Sequence, residues 1–515
     1  MDPRLVLMRA RTLAGEHKLF TGALAVGAVL RLVASIGYPG ALWFAGDSYV
    51  YIGAALRPQP NLSKSTGYSF FLRLLEPFHS LTLVTAVQHL MGLTVAVLIY
   101  VLLRRSNVSK TWSAIATLPV LLDGYIIEDE HLVMAETLFT FLLMVATVLL
   151  LWRPGAVRWW VAVIAGLLVG YAAVVRTEGA VMLVVLPLFL LLRRRGWKTL
   201  RGWLVAIVFA VASLVPVAGY ASWFHQRTGH YGMTMSTGFY LWGRVSSFAD
   251  CARINPTGDE AAVCPTTPIV DRTPPGNFVW HAPQTHQDMD YLGGPVSYKG
   301  NQVLTNFAIK AVEAQPLDYL KTLFFNTAMS FGFPRVAYPG AGTTYYYDFH
   351  LHYVTAKYNL LPPKNHAWIS PLVVPKNSAY DDWVNYGHQA PGVVHKIAAI
   401  PILVYQRVVF TYGPLLALIF LVGLGGLIGV RRRGWRLRSL RLYWAPRGTT
   451  MLPWVTAVAL ILTPIALADF DYRYLLPAIP FACLAAGLAF APRRAAPAVP
   501  AAPESVESTV PDQVA

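Results

Sequence analysis

The 515-residue chain is 55% hydrophobic and only 13% charged, with a mean hydropathy of +0.46. So little charge cannot cover a water-soluble domain of this size, and so much apolar side chain excludes a disordered protein. Lysine plus arginine outnumber aspartate plus glutamate by 42 to 26, a formal charge of +16, but the basic residues fall between alternate apolar blocks, which is membrane topology and argues against a nucleic-acid partner.

The apolar blocks have the length a helix needs to cross roughly 30 Å of hydrocarbon. In chain order, helices are expected near 19–38, 82–103, 112–127, 132–152, 159–175, 179–193, 203–222, 412–430, 450–468 and 474–491. The chain thus reads as a polytopic α-helical membrane protein. The first block is long and lacks a small-residue cleavage site, so it is expected to stay as an anchor.

The positive-inside rule sets the orientation. The stretches 1–18 (Arg4, Arg9, Arg11, Lys18), 104–111 (Arg104, Arg105, Lys110), 153–158, 193–201 (Arg193, Arg194, Arg195, Lys198, Arg201), 431–448 and Arg493–Arg494 are expected inside. Both termini are then cytoplasmic in a multi-pass plasma-membrane protein. The first outer loop, 39–80, has an amphipathic stretch from Tyr68 to Leu75. The segment 223–411, rich in Gly, Pro, Tyr and His, is long enough for an extracytoplasmic region of mixed structure. Helices return over 412–491, and the Ala/Pro/Val-rich tail 492–515 is expected to be disordered.

Polar side chains at the hydrocarbon edge carry the functional signal, because each costs free energy there without a partner or a task. Asp47 directly follows the first helix and its aromatic flank, with Tyr51 one turn on; it is either a helix N-cap or a base able to take a proton from a hydroxyl. The run Glu128-Asp129-Glu130-His131 forms a short outer turn, and Glu136 lies just past it, inside the start of the fourth helix. A buried acid needs a cation, for which Arg31 in the first helix is the candidate, with Asp123 a competing partner. Arg176 and Arg473 fall at the outer boundary, where a guanidinium fork suits a phosphate or a neighbouring Glu178 or Asp471.

Other signals are weaker. Gly166/Gly170 and Gly425/Gly429 suit close helix packing, and Gln88-His89 suits an interhelical hydrogen bond. Asn61-Leu62-Ser63 matches a glycosylation sequon, and Tyr345–Tyr347 suits sugar stacking or an interfacial belt. Cys251 and Cys264 share one polar segment, where a disulfide and two free thiols are both open. No metal-type Cys/His spacing exists. Asp47, Glu128 and Glu130 offer a disfavoured oxygen-ligand set for a divalent ion, so no cofactor is expected.

At these residues the chain resembles the GT-C class of membrane glycosyltransferases that use polyprenyl-phosphate sugars, the group holding protein O-mannosyltransferases and the aminoarabinose transferase. The motifs are Arg31 with Asp47-Ser48-Tyr49-Val50-Tyr51, Gly67-Tyr68-Ser69-Phe70-Phe71, Ala135-Glu136-Thr137, Arg176-Thr177-Glu178-Gly179 and Tyr472-Arg473-Tyr474. The composition is similar to that of members from high-GC actinobacteria, whose envelopes hold lipid-linked mannose and arabinose donors. Asp47-Ser48 departs from the Asp-Glu of many protein mannosyltransferases.

The resemblance implies a GT-C-like helix bundle and an inverting transfer of one sugar from a polyprenyl-phosphate donor to a hydroxyl of an envelope glycan, lipid or protein on the outer face. Asp47 is then the general base, and Arg176, Arg473 and Lys64 hold the donor phosphate. Arg31, Tyr51, Glu130, His131 and Glu136 shape the substrate pocket, with Arg31 fixing Glu136. The competing reading is a flippase for a lipid-linked saccharide whose path those charges line; the lack of an internal repeat weakens it.

Overall fold

The computed structural model describes residues 15–44, 47–153, 155–286, 289–351, 379–388, 393–429 and 448–492. The basic stretch 431–447, residues 1–14, Arg493–Arg494 and the tail expected to be disordered lie outside the described residues. Within them the chain is helical, with one isolated bridge joining Leu42 to Leu132. The described residues of 223–411 form helices and loops.

The N-terminal module begins with α1 (Lys18–Gly37), α2 (Ser48–Leu56), α3 (Gly67–Leu75) and α4 (Leu81–Arg105). It continues with α5 (Glu136–Leu151), α6 (Trp159–Val175), α7 (Met182–Leu192) and α8 (Leu200–Thr228). The last two form much of the scaffold with α6. Downstream come α9 (Thr237–Ser246), α10 (Tyr298–Ala314), α11 (Pro316–Met329), α12 (Lys396–Val408), α13 (Gly413–Ile428), α14 (Gly448–Leu467) and α15 (Ala478–Ala489). Among the described residues five segments, Lys18–Gly37, Leu81–Arg105, Leu200–Thr228, Thr449–Leu467 and Tyr472–Ala489, are each long and apolar enough to span a bilayer; α12 and α13, bent by 59°, make a sixth if taken together. Their apolar outward faces, such as Val26, Val29 and Leu32 on α1, are what lipid contact requires.

The expected third span is broken into Lys110–Ile115, Leu118–Leu122 and Gly124–Asp129. Pro119 opens the middle piece, and Asp123 starts the last by accepting the N–H of Tyr125 (2.9 Å) and Ile126 (3.4 Å). Its other oxygen accepts the N–H of Thr411 (2.7 Å), so Asp123 is a cap and a tether and not a partner of Arg31. The break also frees carbonyls, since a helix end leaves its last C=O groups without partners. Arg31 donates to two of them, Leu121 O at 2.9 Å and Val120 O at 3.4 Å.

α6 and α8 approach closely because Gly166 and Gly170 face the backbone of Phe209 and Ser213, where any Cβ would collide. Gly425 and Gly429 play no such part: Gly425 faces open space, and Gly429 ends α13 with φ +79°. Gly423 and Gly426, three residues apart and so on one face of α13, instead meet Trp454 and Ala489; the reason is one of phase, since Gly425, one and two residues from them, points to a different face.

The segment after α8 folds a second apolar core around Phe239, Trp242, Phe278, Leu304 and Phe307, with Cys251 and Cys264 joined as a disulfide. It docks on the helix bundle through Met235 N to Leu62 O (2.7 Å) and Tyr319 Oη to Ala466 O (3.1 Å). Buried Asp469 accepts the N–H of Gly276 at 2.7 Å and the hydroxyl of Tyr338 at 2.8 Å, and lies 3.6 Å from the buried guanidinium of Arg244.

Candidate active site

Four connections of the bundle, α1–α2, α2–α3, α6–α7 and α14–α15, meet at one cavity of about 470 Å³, lined among others by Asp47, Tyr51, Lys64, Arg176, Arg473 and Tyr474. Asp47 arrives on the connection from α1 to α2. It occupies the residue before α2 but makes no side-chain cap, so the N-cap reading is corrected: its oxygens are committed elsewhere. Lys64 Nζ lies 2.7 Å from one and Arg473 Nη1 2.9 Å from the other.

Local structure explains how each cation gets there. Asn61 is buried and its side-chain oxygen accepts the N–H of Ser63 at 2.9 Å and of Lys64 at 3.1 Å, an Asx turn that aims Lys64 into the cavity. The sequon asparagine is thus a turn former. Asp471 accepts the N–H of Arg473 (3.1 Å) and starts the short 3₁₀ turn Tyr472–Leu475; its other oxygen takes the hydroxyl of Tyr347 at 2.6 Å. Arg176 ends α6 in an extended conformation.

Behind the cavity lining, Glu136 in the first turn of α5 pairs with Arg176, which also reaches Glu178 at 3.1 Å. Arg473 Nε is 4.0 Å from the same Glu136 oxygen and 3.6 Å from Asp471. Both arginines therefore face the cavity while also making the acidic pairs that sequence alone offered as alternatives. Tyr474 lies beneath them, 5.7 Å from the Arg176 guanidinium and 5.1 Å from that of Arg473, and Phe44 is 5.0 Å from the latter. Aromatic faces attract such cations and restrict their swing.

Burial pushes the Asp47 carboxyl upward, but the charges and hydrogen bonds of Lys64 and Arg473 outweigh it and hold the group below the usual carboxylate range. Burial likewise disfavours the Lys64 ammonium, and Asp47 more than reverses that. The Tyr51 hydroxyl is raised by burial and stays protonated at neutral pH. The resting site is therefore an ionised carboxylate locked between two cations.

The remaining candidates sit elsewhere. Arg31 forks onto Glu130, Nε to Oε2 at 2.6 Å and Nη2 to Oε1 at 2.7 Å, and not onto Glu136. Glu130 follows the broken span and turns back towards α1, whereas Glu136 turns towards Arg176. His89 Nδ1 is 2.9 Å from Glu130 Oε2, His89 Nε2 is 2.9 Å from His131 Nδ1, and His131 Nε2 is 2.9 Å from the Tyr38 carbonyl. Arg31, Glu130 and His131 thus form a buried polar pin among helices and do not line the cavity, which corrects their placement in a substrate pocket. Gln88 donates to the carbonyls of Glu130 (2.9 Å) and Leu132 (2.8 Å). Among the described residues no group of three or more His, Cys, Asp or Glu is arranged to hold a metal.

Sequence reasoning missed Tyr240 and Thr237 of α9, which close one side of the cavity, because nothing in 223–411 linked that segment to the site. Tyr474 was quoted only as part of a motif; its place beside Arg473 was the available signal.

Residues 75–231 match the family described as dolichyl-phosphate-mannose-protein mannosyltransferase. No curated protein sequence matches the chain. Similar solved structures include the oligosaccharyltransferase of Archaeoglobus fulgidus in its apo form (13% identity, TM-score 0.37, 90% of this chain and 50% of that one). Another is the same organism's AglB in complex with an inhibitory peptide and a dolichol-phosphate (12% identity, TM-score 0.39, 91% and 50%). The chain spans about half the length of these proteins. Through residues 75–231, which carry Glu136, Arg176 and the helices that hold them, the chain is similar to the dolichyl-phosphate-mannose-protein mannosyltransferases, a family of GT-C-type membrane glycosyltransferases.

Proposed function

We propose that the protein transfers a single sugar from a polyprenyl-phosphate donor to a hydroxyl acceptor of the cell envelope on the outer face of the membrane, with inversion at the anomeric carbon. The observation that carries this reading is the convergence of Asp47, Lys64, Arg176 and Arg473 on one cavity. The family match makes mannose on a polyprenyl phosphate the first donor to test.

In the proposed reaction the acceptor oxygen attacks the anomeric carbon while its proton passes to Asp47, because a neutral hydroxyl is a poor nucleophile until its proton is accepted. The bond from that carbon to the phosphate oxygen breaks, and its electron pair leaves with the lipid phosphate. Lys64, Arg176 and Arg473 oppose the growing charge, as preorganised cations do in a water-poor site. A carboxylate locked by two cations is a weak base. The donor phosphate competes for Lys64 and Arg473, and as it draws them away the basicity of Asp47 rises, so donor binding readies the base.

Glu136 would hold Arg176 at the correct depth, and Tyr51, Tyr240 and Tyr474 would bound the sugar site. The test is transfer by purified protein in detergent from a synthetic polyprenyl-phosphate mannose to a glycan or peptide acceptor. Product that disappears in the Arg473→Ala and Arg176→Ala proteins supports the reading. No product from any polyprenyl-phosphate sugar, with the donor still bound, refutes it.

A further inference from the structure

A second cavity, of about 430 Å³, opens at the other end of the same helix pair, between the first turns of α6 and α8. Arg158 and Arg201 stand at its mouth with Trp159 and Trp160, and Leu204 and Val208 form the apolar wall beneath. Among the described residues no acidic one lines it. Arg158 directly precedes α6, has no side-chain cap bond, and the first turns of both helices lack acids. Both helices start here, so two positive dipole ends point the same way as the arginines.

Depth fixes the kind of ligand. Arg176, at the far end of α6, lines the first cavity. The 17 residues of α6 span about 25 Å at 1.5 Å per residue, close to the roughly 30 Å of bilayer hydrocarbon. The second cavity thus lies at the headgroup level of the opposite leaflet. Trp159 and Leu204 there are largely exposed, as interfacial anchors are. An opening with two guanidiniums above and hydrocarbon walls below fits an ion with its own apolar tail and not a small soluble anion.

We propose that this groove binds an anionic glycerophospholipid, with its phosphate between Arg158 and Arg201 and its acyl chain along Leu204 and Val208. Juxtamembrane cations each favour an anionic headgroup by an amount whose pairwise sum corresponds to a preference on the order of 30-fold. The site shares no lining residue with the Asp47 cavity, so it stands whether or not the transfer reaction does.

The experiment is native mass spectrometry of the full-length protein released from micelles holding phosphatidylglycerol and phosphatidylcholine with the same acyl chains. Wild-type protein should retain phosphatidylglycerol on the order of 30-fold over phosphatidylcholine, and Arg158→Gln/Arg201→Gln should abolish that preference. Millimolar inorganic phosphate should leave it intact. Equal retention of the two lipids by wild-type protein overturns the proposal without recourse to any variant. So does a preference that survives the double substitution, or one that inorganic phosphate removes.

Discussion

Replacing Asp47 with Asn should move two measured quantities in opposite directions. The carboxylate is the acceptor for Lys64 at 2.7 Å and for Arg473 at 2.9 Å, and both cations are assigned to the donor phosphate. Contacts of this charged kind contribute about 1.5–3 kcal/mol each when unopposed. A phosphate entering the wild-type site must displace them, whereas in Asp47→Asn the cations are free on arrival. Relief of roughly half of one such contact, about 0.8–1.5 kcal/mol, tightens donor binding by about 4- to 12-fold. Turnover should fall by 10²- to 10⁴-fold, the usual contribution of a general base. Donor affinity is measured by calorimetry on purified protein with a non-transferable polyprenyl-phosphate sugar analogue, and turnover with the reactive donor. Asp47→Asn that binds donor no more tightly than wild type refutes competition between carboxylate and phosphate. A variant that keeps its turnover refutes Asp47 as the base.

Glu136→Gln leaves Arg176 with Glu178 at 3.1 Å as its remaining ion pair; donor kcat/KM should fall by about 10- to 100-fold, or 1.4–2.8 kcal/mol, and an unchanged value removes the positioning role of Glu136. Gly170→Ala places a methyl group against the Ser213 backbone and should lower stability by about 1–3 kcal/mol, read as the thermal midpoint in detergent, with Gly425→Ala near neutral as the control. Burial raises Asp469 to about 6 despite its hydrogen bonds and Arg244. Its folded value exceeds the unfolded one, so its contribution is complete below about pH 4 and is lost as pH rises through about 6. The thermal midpoint should therefore climb as pH falls from 7 to 5, and Asp469→Asn should flatten that climb; a wild-type slope retained in the variant assigns the effect to another group.

Much of this was legible in one dimension because a bilayer imposes a one-dimensional rule. Nine of the ten expected spans coincide with a helix, or a helix pair broken at one turn, since length and apolarity are local properties. The tenth, 112–127, failed where Pro119 and Asp123 interrupt an apolar run. Asp47, Arg176 and Arg473 were found because a charge at the hydrocarbon edge is conspicuous against its neighbours. Pairing was another matter: Glu130 and Glu136 are six residues apart, and only the turn between them sends one to Arg31 and the other to Arg176.

The amino-acid sequence by itself determined a membrane-spanning helical chain with an Asp and three cations near one boundary, because hydropathy and charge are carried residue by residue. Only the tertiary structure decided that Lys64 and Arg473 both hold Asp47, that Arg31, Glu130 and His131 are pins within the bundle, and that α9 walls the cavity. Those facts depend on the direction in which each chain leaves its turn and on which helices the glycines of α6 allow to touch, and neither is written in any single stretch of residues.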